Sequence, residues 1–404
     1  MAERARVLVA GAGPAGLVTA LCLAREGVPV TVLEAEPDLA EDLRAGTFHP
    51  PTLQMLDALG VTAELHALGL TARTWQFRDR QAGVVAEFDL DLLRNDTPYP
   101  YRLHCEQFKM ARVVYEKLVT LPHAEVKFQA RVVDVAQRAD HVTVTVETPE
   151  GPRTETGAWL VGADGGRSAV RKAVGVEFEG FTWPEAFMVV STRYDLGPHG
   201  FANAAYISDP ERWCAVFKVP GDGQTGLWRA ASPTDPELTD EVALADGRVQ
   251  ERLDWVLPGR GPYAIVHRRT YRVHQRVAAT LRAGRVLLIG DAAHVNNPLG
   301  GMGLNSGVHD GVTLAETLTR LRRGEAGDAG DAALDAWAAE RRAINIEYVQ
   351  AITIQNKRTI EERDPEVRRQ RHDEMRRLAE DPERARDYLL RTSMLASIRR
   401  DGTR

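Results

Sequence analysis

A glycine-rich hexapeptide near the start of the chain limits the possible folds more than any other feature of the sequence. Gly11, Gly13 and Gly16 of GAGPAG follow a short apolar run and precede a stretch of helical composition. In a strand-loop-helix unit the first glycine permits a tight turn, the second lets backbone approach a pyrophosphate, and the third lets helix and strand pack closely. A β-branched run at residues 28–33 follows, so the chain is expected to open with a dinucleotide-binding βαβ unit.

An acidic residue stands where such a unit needs one. Glu34 ends the second predicted strand, about 20 residues after the glycines, where a carboxylate binds the ribose hydroxyls of a bound dinucleotide. Because the glycine loop binds any dinucleotide, it does not distinguish FAD from NAD. A glycine loop alone also occurs as an ordinary turn, so the cofactor must be inferred from other parts of the chain.

Two more strand-to-helix turns carry an acid and several glycines. The first is GADGGRSAVR at residues 162–171, and the second is GDAAH at residues 290–294, which continues into PLGGMGLN at 298–305. Each places a carboxylate at a strand end and backbone N–H groups at the next helix start, where open α/β sheets bind ligands. The alternative for the motif at residues 162–171 is an ordinary strand-to-helix turn with a capped helix start and no bound ligand.

The three motifs together resemble those of a known family. Their order and spacing are similar to those of the FAD-dependent aromatic hydroxylases, single-component flavoprotein monooxygenases of the para-hydroxybenzoate hydroxylase type. Arg44-Ala-Gly46 ahead of a helix, and Gln107 at a helix start after Tyr101-Arg102, match the family as well. The resemblance extends over roughly residues 5 to 320, and it implies FAD as cofactor with NADH or NADPH as transient reductant.

The resemblance also implies which residues bind the cofactor. The glycines of the first motif hold the pyrophosphate, Glu34 the adenosine ribose, and Asp291 the ribityl chain or pyrophosphate, while Asp164 serves both FAD and NAD(P)H. Arg44 and Gln107 match positions near the pyrophosphate and ribityl-flavin, although a surface salt bridge and a plain helix start are their alternatives. The full expected set is Gly11, Gly13, Ala15, Gly16, Glu34, Arg44, Gln107, Asp164, Asp291, Pro298, Gly301, Gly303, Leu304 and Asn305.

The implied reaction is hydroxylation of a small phenolic or heteroaromatic substrate with O2, through a C4a-hydroperoxyflavin. The cofactor carries out the oxygen chemistry, and the protein holds the substrate ring and excludes water. No residue is assigned as a catalytic base; His294 lies inside the third motif and is expected to have a structural or hydrogen-bonding role. No metal is expected, because metal-ligand spacings are not found.

The expected fold class is α/β, with a Rossmann-like FAD-binding domain, a sheet-rich substrate lobe and a helical C-terminal region. The FAD-binding domain is predicted at residues 1–175, with an inserted β-meander at about 126–156, and continues at 275–322. Residues 176–274 form the predicted substrate lobe and 323–404 the helical region.

Aromatic and cationic residues of the predicted lobe are candidates for substrate contact. Tyr206, Trp213 and Trp228 fall on strand-like runs, where they face either an aromatic ligand or the ordinary core. Arg193, Lys218 and Arg229 are candidates to pair with a substrate carboxylate or phenolate, or are solvated.

Composition excludes other classes of protein. With 51 Lys and Arg against 57 Asp and Glu among 404 residues, the net charge of -6 argues against nucleic-acid binding. No apolar run is long enough to span a membrane, no signal peptide is seen, and three dispersed cysteines indicate a cytoplasmic location. A monomer or homodimer is expected. A dimer contact is one use for the apolar residues near the C-terminus, which are Tyr388, Leu389, Leu390, Met394, Leu395 and Ile398.

Alternatives to oxygen insertion stay open from the sequence. One keeps FAD but acts as a dehydrogenase, reductase or halogenase, and another is a non-catalytic flavin-binding regulatory protein. A simple NAD-dependent dehydrogenase is disfavoured because it leaves the second and third motifs without a purpose.

Overall fold

The structure combines two large sheets with a helical C-terminal region. It is a computed structural model, and it describes residues 6–41, 46–221, 226–325 and 330–400. The strands in these residues are β1 Val7–Ala10, β2 Val30–Leu33, β3 Thr47–Phe48, β4 Leu70–Ala72, β5 Thr74–Asp79, β6 Gly83–Asp89, β7 Arg102–His104, β8 Ala124–Lys127, β9 Arg131–Gln137, β10 Val142–Thr148, β11 Gly151–Gly157, β12 Trp159–Gly162, β13 Phe178–Thr192, β14 Ala204–Ser208, β15 Cys214–Val219, β16 Leu227–Thr234, β17 Ile265–Ala278, β18 Arg282–Ala283, β19 Val286–Leu288 and β20 His294–Val295.

Helices connect and cover these strands. They are α1 Pro14–Arg25, α2 Pro50–Ala58, α3 Thr62–Leu68, α4 Gln107–Leu118, α5 Ala169–Ala173, α6 Asp240–Ala243, α7 Asp246–Val256, α8 Met302–Arg322, α9 Gly330–Ile344, α10 Ala351–Ile360, α11 Pro365–Glu380, α12 Pro382–Thr392 and α13 Leu395–Arg400. A π-helical segment, Asn345–Gln350, joins α9 to α10. None of the helices among the described residues is long and apolar enough to cross a membrane.

The first sheet is the expected dinucleotide-binding sheet. Its strand order is β18-β19-β12-β1-β2-β8, and β19, β12, β1, β2 and β8 run parallel. Val9 pairs with Val32 on one side and with Val161 on the other, and all three are fully buried. Such continuous apolar runs are typical of parallel strands that are covered on both faces. The first and second glycine motifs therefore begin at the ends of adjacent strands.

Small residues bring α8 directly against α1. A Cβ on Gly311 would lie 2.4 Å from the Thr19 hydroxyl oxygen, and one on Gly307 would lie 3.4 Å from the Ala15 Cβ. These glycines are four residues apart on one helix face, so the two helix backbones approach closely. As a result, the helix that follows the third motif is fixed beside the first motif.

The second sheet has eight strands in the order β20-β17-β13-β16-β15-β14-β5-β6. It includes β5 and β6, from residues 74–89, which lie within the segment predicted as the FAD-binding domain, and β17 and β20 extend it beyond residue 274. Its two faces carry separate cores. We call them the α10 face and the α7 face, after the helix that covers each one. On the α10 face, Leu299 and residues of α10 pack against Phe187, Trp213, Ala231, Tyr271 and Val273. On the α7 face, residues of α7 pack against Met188, Val190, Ile207, Trp228 and Ala230.

The meander forms a separate three-stranded sheet in the order β11-β10-β9. It begins later than the predicted start at about residue 126, because Val126 and Lys127 belong to β8 and pair in parallel with β2. Val142, Val144 and Val146 are buried while the threonines between them are half-buried, as expected for a sheet with one covered face.

The C-terminal helices pack on the second sheet. Asp364 and Asp381 cap α11 and α12 by accepting backbone N–H groups of the first turns, which agrees with the Asp-Pro-Glu helix-start signals. Leu389 and Leu395 are buried in a core with Trp75 and Phe88 of the β5-β6 hairpin. The apolar residues considered for a dimer contact are therefore largely used within the chain.

Candidate active site

The first glycine motif forms a cradle at the carboxyl end of β1. Gly11 has a φ of +103°, and a Cβ there would lie 2.5 Å from the Ala163 carbonyl oxygen, while a Cβ on Gly16 would lie 2.2 Å from the Gly11 carbonyl oxygen. A side chain cannot be accommodated at either position. A Cβ on Gly13, by contrast, would have no heavy atom of the described residues within 4 Å. Gly13 thus leaves open space in front of α1, where a phosphate group can approach.

Glu34 lies at the end of β2 and supports the same loop. Its carboxylate accepts hydrogen bonds from the Ala12 N–H at 2.6 Å and the Glu36 N–H at 2.9 Å. The half-buried carboxylate is therefore held beside the glycine loop, where a ribose hydroxyl of a dinucleotide could donate to it.

The second motif lies against the first and is a capped helix start. Asp164 accepts the Ser168 hydroxyl at 2.6 Å and the Val170 N–H at 3.1 Å, so its carboxylate holds the turn into α5. The buried Arg171 then donates to the Ala292 carbonyl oxygen at 2.7 Å. This bond ties the second motif to the third.

The third motif meets the first at Ala15. Gly290 has a φ of +56°, and a Cβ there would lie 3.1 Å from the Cβ of Ala15. A larger side chain than alanine would separate the two loops. Asp291, the next residue, is exposed within a short 3₁₀ turn. Its carboxylate thus lies at the surface of the crevice formed by the first and third motifs.

The loop before α8 contains two residues in left-handed conformations. Gly300 and Gly301 have φ values of +116° and +65°, a region that glycine enters without strain. Gly301 is the N-cap residue of α8, and, having no side chain, it provides no side-chain acceptor for the first-turn N–H groups of that helix. These donors, together with those of α1, favour negative charge at both helix starts.

Asn305 fixes this loop from inside. Its side-chain oxygen accepts the His49 N–H at 2.8 Å, and its nitrogen donates to the carbonyl oxygens of Thr47 at 2.9 Å and Gly301 at 2.6 Å. Asn305 is fully buried, so in this structure it is a positioning residue. Of the other predicted residues here, Pro298 is exposed, and Gly303 and Leu304 are half-buried.

A buried amide cluster that the sequence did not indicate holds the other side of the loop. The Gln275 side-chain oxygen accepts the Asn297 N–H at 3.0 Å and the Trp183 indole N–H at 3.2 Å. The Gln275 side-chain nitrogen donates to the Thr353 hydroxyl at 2.9 Å, and Gln275 is 2% exposed. The loop is therefore anchored to the second sheet and to α10. Alternation along β17 marks Gln275 as inward-facing, but its partners are distant in sequence.

The candidate substrate residues do not lie together. Tyr206 is half-buried on the α10 face, and Trp213 packs edge-on against Phe187 on the same face, with ring centroids 4.9 Å apart. Trp228 lies on the α7 face, where its indole N–H donates to Asp195 at 2.8 Å. Side chains alternate between the faces of a strand. The structure therefore does not support Trp228 as a substrate contact.

The remaining candidates fall in different places. Lys218 forms an ion pair with Asp195 at 3.2 Å, and Arg229, which is 1% exposed, points away from the α7 face. Gln107 is the half-buried first residue of α4. Arg44 lies outside the described residues.

The residues present fit a bound FAD. Several features converge at one end of the first sheet: the position of Gly13, the carboxylates of Glu34 and Asp291, and the starts of α1 and α8, whose N-cap glycines provide no side-chain acceptor. That end is where open α/β sheets bind nucleotides. The loop of residues 296–301 then lies between this crevice and the α10 face of the second sheet, through Leu299.

The comparisons with known proteins agree with this geometry. The model of the FAD binding domain family matches residues 4–352. The chain is 36% identical over 365 residues to para-nitrophenol 4-monooxygenase of Pseudomonas sp. (strain WBC-3), covering 90% of this chain and 89% of that protein. It is 37% identical over 394 residues to 6-hydroxy-3-succinoylpyridine 3-monooxygenase of Pseudomonas putida (strain DSM 28022 / S16), covering 96% and 98%.

Solved structures are similar over nearly the whole chain. The crystal structure of p-nitrophenol 4-monooxygenase from Pseudomonas putida DLL-E4 matches with a TM-score of 0.91 and 33% identity, covering 98% of both chains. A ternary complex of aklavinone-11 hydroxylase with FAD and aklavinone matches with a TM-score of 0.76 and 28% identity, covering 89% of this chain and 69% of that one.

Proposed function

The chain belongs to the FAD binding domain family and is an FAD-dependent aromatic monooxygenase, and from this premise we propose that it hydroxylates a single-ring phenol or hydroxypyridine at the carbon para to the ring hydroxyl. The proposal includes O2 and NADH or NADPH as co-substrates. It also includes a cytoplasmic enzyme that acts as a monomer or homodimer.

The proposed position of hydroxylation is supported by two relatives that match this chain over nearly its full length. One is named for attack at position 4 of para-nitrophenol, and the other for attack at position 3 of 6-hydroxy-3-succinoylpyridine. In both compounds the named carbon lies para to the hydroxyl and carries the second substituent. Oxygen transfer to such a carbon forms a C–O bond and breaks the bond to the substituent, so a nitro group would leave as nitrite with its electron pair and the ring product would be the quinone. Two relatives with different rings thus share one geometry of attack, which supports the same geometry for this chain.

The α10 face supports an aromatic substrate. Phe187, Trp213, Tyr206 and Tyr271 lie on that face, and Leu299 of the loop at residues 296–301 packs against it. A ring bound at the edge of this face, beside the half-buried Tyr206 and the loop, would have aromatic surface on one side, and ring pairs favour offset or edge-on contacts. The rigid sheet would set the ring's orientation, which determines the carbon that reacts.

The residues of the crevice have separate tasks in this proposal. The first-turn N–H groups of α1 would bind the pyrophosphate, and those of α8 would stabilise the negative charge of the reduced flavin ring system. When bound, FAD accepts a hydride from NAD(P)H and activates O2 for transfer of one oxygen atom to the substrate ring. Asn305 and Gln275 would keep the loop in place and so help to exclude water.

The alternatives that the sequence left open are not favoured. A dehydrogenase, reductase or halogenase, or a regulatory flavoprotein without turnover, would not explain why both near-full-length relatives are monooxygenases.

Regiochemistry provides the test. We expect para-substituted phenols and 3-substituted 6-hydroxypyridines to stimulate NAD(P)H oxidation, with one atom of ¹⁸O from ¹⁸O2 incorporated at the para carbon, as read by mass spectrometry. The para substituent should be released in equal amount, as nitrite when 4-nitrophenol is the substrate. The ortho- and meta-substituted isomers serve as controls. Incorporation at an ortho carbon would overturn the proposed position, and hydrogen peroxide as the sole oxygen product with every compound would overturn the proposed reaction.

A further inference from the structure

Arg102 is a buried cation beside the proposed ring site. It lies on β7, which pairs with β3 on one side and β4 on the other, and β3 contains Thr47. Thr47 is in contact with the loop before α8, because a Cβ on Gly301 would lie 3.1 Å from the Thr47 Cβ. Arg102 is 4% exposed. Arg102 is therefore buried, and only β3 separates its strand from the loop at residues 296–301.

The surroundings of the guanidinium are aromatic. Its central carbon lies 5.7 Å from the centroid of the Trp75 indole. The Tyr206 hydroxyl lies within hydrogen-bonding reach, and the Tyr388 phenol is also close. Tyr206 belongs to the α10 face, so the guanidinium lies at the edge of the aromatic surface where the substrate ring is proposed to bind.

Arg102 has no carboxylate to balance its charge among the described residues. The acidic groups that act on it there are the two phenols of Tyr206 and Tyr388, and burial lowers its pKa. Its Nε atom is buried and has no hydrogen-bond partner in the described part of the chain. An uncompensated buried charge is strongly unfavourable, so the site favours the arrival of an anion.

The neighbouring histidines neither balance the charge of Arg102 nor add to it. Burial and the charge of Arg102 hold the pKa of His49 well below its ordinary value, and burial lowers the pKa of His104 to about 4. Both side chains are therefore neutral at pH 7. The Nε2 of His49 donates to the Gly300 carbonyl oxygen at 2.8 Å, which leaves its buried Nδ1 as an acceptor without a partner in the described residues.

We propose that Arg102, with Tyr206, forms a binding subsite for an anionic oxygen of the aromatic substrate, either a phenolate or a carboxylate. The inference rests on the proposed function, because it assigns a recognition group to the same ring site. The planar guanidinium can donate two parallel hydrogen bonds to such an oxygen pair or one strong bond to a phenolate. Arg102 would thereby select ionised substrates over neutral ones of the same shape.

The test compares matched ligands in the FAD-loaded enzyme. 4-Hydroxybenzoate against 4-hydroxybenzamide tests the carboxylate, and 4-nitrophenol against 4-nitroaniline at pH 8 tests the phenolate. Dissociation constants come from the change in flavin visible absorption on titration, without turnover. We expect the anionic member of at least one pair to bind roughly 10- to 100-fold more tightly, as is usual for a charged hydrogen bond.

Three variants separate charge from structure. Arg102→Met should reduce the preference to within about threefold, and Arg102→Lys should retain most of it, with FAD content unchanged in both. The matched control is Arg252→Met, which removes a partly buried arginine of α7 that donates to the Pro233 carbonyl oxygen. This control should keep the full preference. If Arg102→Met folds poorly, Arg102→Gln takes its place, because glutamine also removes the charge while keeping polar N–H donors, and it should reduce the preference in the same way.

The outcomes distinguish the two levels of the proposal. If Arg102→Met keeps the anion preference, or weakens anionic and neutral ligands equally, the subsite is wrong and the proposed function stands. The subsite is also wrong if the wild-type enzyme binds both members of each pair equally. If no member of either pair binds the wild-type enzyme, the proposed function fails and the subsite fails with it.

Discussion

The imidazole Nε2 of His294 donates a hydrogen bond of 2.5 Å to the Asp310 carboxylate, and both side chains are fully buried. Arg341 Nε donates to the other carboxylate oxygen, Oδ1, at 2.8 Å, and the Gly290 N–H donates to Oδ2, the oxygen that also accepts from His294, at 3.1 Å. Burial alone would raise the pKa of Asp310, but the charges of His294 and Arg341 hold it well below its ordinary value. Asp310 of α8 thus joins α9 to the loop that carries Asp291.

Asp310→Asn is expected to destabilise the protein and loosen the third motif. The change removes the charge of Asp310 from its buried ion pairs with His294 and Arg341, and breaking a buried ion pair usually costs about 3 to 5 kcal/mol. Urea unfolding with saturating FAD measures the loss, and flavin release on dilution should become faster as well. Asp335→Asn is the control, since Asp335 is 69% exposed in its ion pair with Arg282 and should change stability by less than about 1 kcal/mol. Equal effects of the two variants would contradict the role given to Asp310.

Gly13→Val is expected to give folded protein that does not retain FAD. The backbone at Gly13 is extended, with φ of -71° and ψ of 175°. A Cβ there lies within 4 Å of no atom in the part of the chain that the structure describes, so we expect valine to fit the fold. The side chain would instead fill the space for the pyrophosphate, and we expect FAD binding to weaken by at least about 10-fold. Flavin absorbance per protein and circular dichroism check both parts. Gly247→Val, at another open position, should stay yellow; a yellow Gly13→Val protein would show that the pyrophosphate binds elsewhere.

Gln275→Leu is expected to uncouple NAD(P)H oxidation from hydroxylation. The leucine leaves Asn297 and Trp183 without their acceptor, at about 1 to 3 kcal/mol for each unsatisfied group, and the loop at residues 296–301 becomes mobile. Hydrogen exchange of the peptide containing this loop should rise in the protein without FAD, and the peroxide fraction should rise in the loaded enzyme. Gln76→Leu removes a buried glutamine of the same sheet that bonds Glu87 and Gly200. This variant should lose stability with unchanged exchange of the loop.

The free energy of unfolding is expected to decrease as the pH is lowered below about 6.5, because several histidines are buried in their neutral form. Burial lowers the pKa of His309 to about 3, so the unfolded chain takes up a proton that the folded chain does not. Each such histidine reduces the free energy of unfolding by about 1.4 kcal/mol per pH unit between its two pKa values. In His309→Gln the slope between pH 6 and pH 4, measured by urea unfolding, should be smaller by that amount. His123→Gln, at an exposed position, should leave the slope unchanged.

The local signals of the chain predicted three glycine-containing motifs, and the structure brings these motifs together at one end of the first sheet. Glycine was expected at positions 11, 13 and 16 because each needs a backbone without a side chain. In the structure a Cβ on Gly11 or Gly16 would clash with backbone atoms, and a Cβ on Gly13 would lie in open space among the described residues. The same reasoning did not predict that Trp228 and Tyr206 lie on opposite faces of the second sheet. The pattern of one strand shows which of its residues share a face, but not which helix or loop covers that face. It also gave no indication of β5 and β6 as part of the second sheet.

The sequence by itself determined the strand-loop-helix units, the carboxylate of Glu34 and the family, because turns and glycine conformations depend on neighbouring residues. Only the tertiary structure decided the partners of buried polar groups. Asp310 meets Arg341, and Gln275 meets Asn297 and Thr353, across long stretches of chain that fold back on one another. Arg102 likewise acquires its aromatic surroundings from separate strands and α12. The neighbours of a buried polar or charged group are set by packing, and packing depends on the whole chain.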